Sequence, residues 1–159
     1  MKNFCSSCIP RFRFLAIIAL LSPVCSAVLH ATVDDALSFA YEASLPYYKK
    51  GFSIRKDAWG GDLAVKDRKA VSAQLFRGND YWFIMASDVK GASISVHIYD
   101  DKGNLVDAES WQRGSTSGMQ GPSAGARVNP KYTGTYFAIV QILKSSEDRT
   151  PWALVYGYK

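Results

Sequence analysis

Cysteine is scarce in this sequence. There are three, Cys5, Cys8 and Cys25, all near the amino terminus. The rest of the chain has none, which excludes a disulfide framework and any thiolate metal site there. Histidine is rarer still, with only His30 and His97. Zinc needs about three or four His, Cys or carboxylate ligands, so the sequence offers it no convincing ligand set. Basic runs are missing beyond Lys49-Lys50 and Arg68-Lys69. Nucleic-acid binding needs a basic stripe, and that class is set aside. No Asn-x-Ser/Thr glycosylation acceptor occurs. Long apolar runs are missing too. Residues 14–21 are unbroken apolar sequence, short of the roughly 20 residues a membrane span needs.

What the first residues do have is order. Lys2, Arg11 and Arg13 precede that apolar run, and the small residues Cys25-Ser26-Ala27 follow it. This is the plan of an export signal peptide, predicted as residues 1–27. Cleavage is expected after Ala27, with Ala31 as the alternative. Losing the leader leaves 16 basic against 14 acidic residues, so a net charge of +5 falls to +2. About 130 residues remain, enough for one domain with a real core.

Residues 32–50 are predicted to form one short helix and its linker, with Asp34 and Asp35 favouring the helix start. Leu37, Ala40, Tyr41 and Ser44 share a helical face, flanked by Ala36 and Ala43, and Pro46 is expected to limit the helix. From residue 51 onward the pattern is short strands with turns between them. FSIRKDAW is expected to end at Gly60-Gly61. AVSAQLF, YWFIMAS and SISVHIY follow, and residues 105–111 are expected to pair with SISVHIY as a hairpin. Residues 113–126 read as a glycine- and serine-rich loop, and two strong strands close the chain. The expected fold is all-β: an antiparallel, jelly-roll-like β-sandwich over residues 51–159 with one N-terminal helix. YWFIM, YFAIVQIL and WALVY are apolar on both faces, so they need cover on both. The helix is the expected cover, and a partner surface is the alternative.

One order of motifs carries a resemblance. Gly78-Asn79-Asp80-Tyr81-Trp82-Phe83 leads to a strand ending Tyr99-Asp100, then Gly103-Asn104-Leu105-Val106. Pro130 to Tyr136 (Pro-x-x-x-Gly-x-Tyr) and Trp152-Ala153-Leu154 complete it. Over residues 70–158 this resembles the bacterial pre-peptidase C-terminal domains. The resemblance implies a small secreted sandwich without catalysis, attached to or assisting hydrolases and binding protein or carbohydrate. No hydrolase motif is expected within these 159 residues.

The chemistry that remains is modest. Gly121-Pro122-Ser123-Ala124-Gly125 matches the G-x-S-x-G pattern, which needs a strand-to-helix turn that loop residues and Pro130 do not provide. His97 has no evident nucleophile beside it. Asp100 and Asp101 are the only weak metal candidates, with calcium as the ion. Aligning Gly103 with the glycine of a calcium loop places Glu109 on a ligand position, but puts Ile98 and Lys102 on two others. A turn between strands explains the same residues, since Asp bonds nearby amides and Gly103 takes a left-handed backbone. Trp59, beside two glycines, and Trp111, beside the loop, are the candidate ligand contacts, because exposed rings stack on sugars. The predicted function is an exported non-enzymatic module, without a cofactor, binding protein or glycan. The alternative is a self-associating envelope subunit.

Overall fold

The computed structural model describes residues 32–115 and 121–159. The predicted signal peptide, its three cysteines and residues 116–120 of the predicted loop lie outside the described residues.

Helix α1 (Val33–Lys49) begins where Thr32 caps it. The Thr32 hydroxyl accepts from the Asp35 amide at 3.1 Å and donates to the Asp35 carboxylate at 2.8 Å. Asp34 and Asp35 lie in the first turn, where the helix dipole favours negative charge. The helix does not stop at Pro46 but runs one residue past Tyr48. Pro46 is exposed, so water can satisfy the carbonyl that a proline leaves without a donor. Beyond it, Tyr47 is buried against Trp82 and Phe52, with ring centroids at 4.4 and 6.3 Å. That packing holds the last turn. The buried face also differs from the expected one. It runs Ala36, Ala40, Ala43, Ser44 and Tyr47, while Leu37 and Tyr41 flank it half-buried.

Eight strands follow: β1 (Ser53–Leu63), β2 (Arg68–Leu75), β3 (Tyr81–Ala86), β4 (Ser93–Tyr99), β5 (Glu109–Arg113), β6 (Ser123–Val128), β7 (Gly134–Lys144) and β8 (Thr150–Tyr158). They form two antiparallel sheets, β1-β8-β3-β6-β5 and β2-β7-β4. Alternation of first and last strands between facing sheets is the jelly-roll arrangement. The all-β sandwich expected from the sequence is the observed fold. Its core is the two inner faces, including Phe83, Met85, Ile94, Val96, Ile98 and Leu154. A second apolar layer lies between α1 and the outer face of the larger sheet, around Trp82, Ile84, Ala153 and Val155. The helix therefore covers β3 and β8 as expected. It does not cover β7, whose outward residues Phe137 and Ile139 stay half-exposed.

Three other expectations are corrected. Strand β1 continues through Gly60-Gly61 to Leu63, pairing with β8 on both sides of an irregularity between Ile54 and Ala58. A side chain at Gly60 would come within 2.6 Å of Val33, so glycine here permits the helix to approach and does not end the strand. Residues 123–126 are strand, not loop, with Ala124 and Ala126 in the core. Their small size masks a strand pattern, yet β6 needs it: Gly125 lies under the Trp111 ring, and a Cβ there would come within 2.4 Å. Finally, β4 pairs along its length with β7, and residues 105–106 meet its other edge only briefly. Tyr99 bridges Leu105 and the Val106 amide donates to Ile98 at 2.8 Å. The chain then crosses to the other sheet, where β5 pairs with β6.

Candidate functional site

The turn after β4 is built around Asp100. Its carboxylate accepts from the Lys102 amide at 3.0 Å, the Asn104 amide at 2.8 Å and the Asn104 side chain at 3.0 Å. The Asn104 amide group is the main reason this carboxyl is held below the usual carboxylate range. Gly103 takes the expected left-handed backbone, at φ 79°. Asp101 accepts from the Tyr132 hydroxyl at 2.7 Å, which pushes the Tyr132 phenol up. The two metal candidates thus both face protein donors. Among the described residues no group of three His, Cys, Asp or Glu side chains is placed to hold a metal ion.

A clasp that sequence reasoning missed lies next to this turn. Asp107 reaches back to β4, its carboxylate 2.6 Å from His97 Nδ1 and accepting from the Ile98 amide at 2.6 Å. It holds the returning chain beside β4 before the crossover. Ten residues separate the partners, so only the register of the turn could have revealed them.

Above the turn, on the outer face of β2-β7-β4, is an open groove of about 550 Å³. Its floor is Ala70, Phe137 and Ile139, its wall is Tyr99 and the turn, and Arg68 stands at the opposite rim. The register explains the assembly: Ala70 faces Ile139 across β2 and β7, and Phe137 faces Tyr99 across β7 and β4. The size is within the common range for small ligands, about 300–1,000 Å³. The signal for Phe137 and Ile139 was present in the alternation of β7. It was obscured because the strand is apolar on both faces.

The two tryptophan candidates are held far from this groove in the topology, on the two edge strands of the larger sheet. Trp59 on β1 packs toward the sandwich core, its ring 5.5 Å from that of Tyr156. Tyr156 in turn lines a smaller cleft of about 210 Å³ with Arg55, Phe76 and Tyr158. Trp111 on β5 lies on the helix-covered face, and Arg113 stacks over it at 4.6 Å. Opposite edges and opposite faces keep these two residues out of one site. Ser123, the serine of the G-x-S-x-G match, is buried at the start of β6 with 1% exposure. It is not on an exposed strand-to-helix turn.

No protein-family model matches the chain, and a comparison with curated proteins finds no match.

Proposed function

We propose that the protein is an exported, non-catalytic binding module that takes a glycan on the outer face of β2-β7-β4. One observation carries the reading. The outer face of one sheet is sealed by α1, while the other keeps Phe137, Ile139 and Tyr99 accessible in a groove with charged rims. Aromatic and apolar floors stack on the carbon faces of sugar rings, while Arg68 and the turn offer polar groups for hydroxyls. The resemblance of residues 70–158 to pre-peptidase C-terminal domains agrees with a role in recognition. Binding of the purified protein to a glycan array is the test. Phe137→Ala and Tyr99→Ala are expected to abolish the signal, with Trp59→Ala and Trp111→Ala retaining it. The reverse pattern moves the site to the edge strands, and no glycan signal from any form rejects the glycan reading.

The same face supports a second reading, self-association. Leu143 extends the apolar outward row of β7 with 40% exposure, and such a row is a ready interface for another copy. Sedimentation separates the two: a strict monomer at all concentrations rejects assembly.

A further inference from the structure

The Thr32 main-chain nitrogen donates to Asp88 Oδ2 at 2.7 Å, across 56 residues of sequence. The other oxygen, Asp88 Oδ1, is buried without a hydrogen-bond partner among the described residues. Leaving such an atom without a donor is costly. Burial pushes the Asp88 carboxyl up, against the pull of the Thr32 amide. Among the described residues, the charged groups that act on it are Asp35 and Glu147, both of its own sign. Asp88 is thus a half-satisfied carboxylate beside like charges, held only by neutral backbone amides. An α-ammonium in place of the Thr32 amide would bring two more protons and a full positive charge.

We propose that export processing cuts between Ala31 and Thr32, and that the new Thr32 α-ammonium docks on Asp88. This rests on the export reading. Hydrolysis breaks the Ala31 C–N bond and consumes one water. Its oxygen completes the Ala31 carboxylate, and both its protons pass to the Thr32 nitrogen, which then carries three. The resulting charge stands beside a helix N-terminus, where the dipole disfavours a cation. Asp34 and Asp35 in the first turn and Asp88 across from it offset that term. The small-residue pattern of the leader favours Ala27, with Cys25 two residues before it. The fold favours Ala31, because a cut after Ala27 would leave Thr32 as an amide.

The full-length chain, expressed in a bacterial host and recovered after export, gives the answer by intact mass and N-terminal sequencing. A first residue of Thr32 is expected. A first residue of Val28 overturns the inference and leaves the export reading standing. A chain that keeps its leader overturns both. Docking is then read by the rate at which an amine-acylating reagent labels Thr32 in the exported protein. An ammonium paired with Asp88 reacts slowly, and Asp88→Asn is expected to speed labelling about tenfold, equivalent to one pKa unit. Equal rates in both forms reject the pairing.

Discussion

The carboxylate of Asp100 accepts three hydrogen bonds within five residues of chain, and this gives the turn a pH dependence. Its folded-state pKa is depressed, chiefly by Asn104. Its stabilising effect is therefore complete above the ordinary Asp value of about 3.9 and is lost as pH falls through the lower folded value. Asp100→Asn should flatten the acid limb of a melting-temperature profile below about pH 4. An unchanged acid limb would mean that other carboxylates dominate it. Added calcium should leave the melting temperature of the wild type unchanged, because Asp100 and Asp101 already face protein donors; an upward shift would revive the metal reading. Gly125→Ala sets a methyl against the Trp111 ring. Overpacking of this kind costs roughly 1–3 kcal/mol, read as a lower urea midpoint with altered tryptophan fluorescence. At this scale the turn was legible, because Asp, Gly and Asn carry turn chemistry locally. The His97–Asp107 clasp and the small residues of β6 were not, because their reasons lie in distant neighbours.

Helix α1 docks through small side chains, which lets its axis lie close to β8 and β3. Ala36 and Ala40 are fully buried. Ala40→Leu should push the helix outward and destabilise the fold by roughly 1–3 kcal/mol. Hydrogen exchange should rise in α1 before it rises in β7, which the helix does not touch; uniform change would indicate that the helix is not a separable layer. The helix was legible as an element, from its acidic first turn and its alanine spacing. Its buried face was read one position off, because Leu37 and Tyr41 outweigh alanine on any hydropathy count. The sheet decides otherwise, since only small residues fit between the two backbones. Proline gave a similar lesson. A local rule ended the helix at Pro46, and one aromatic contact from Tyr47 carried it on.

Across the molecule, the strand pairing is largely non-local: β1 with β8, β2 with β7 and β3 with β8. Sandwiches of this contact order fold on a scale of about milliseconds to seconds. Refolding from urea, followed by tryptophan fluorescence, should fall in that range and not in microseconds. The strands were legible one by one from period and turns. Their partners were not, because nothing in a strand's own sequence says which other strand it will meet, and the expected pairing of residues 105–111 with β4 survived only at its first step. The last two strands have a consequence for when the molecule comes into being. β7 is the middle strand of the smaller sheet, and β8 sits inside the larger one between β1 and β3. These are also the last two strands of the fold to be synthesised. Until they emerge, β2 and β4 have nothing between them, β1 has no paired neighbour in its sheet, and α1 lacks much of the surface it rests on. The fold therefore stays open in both sheets while it is being made, and it closes only once β8 is free to insert between β1 and β3.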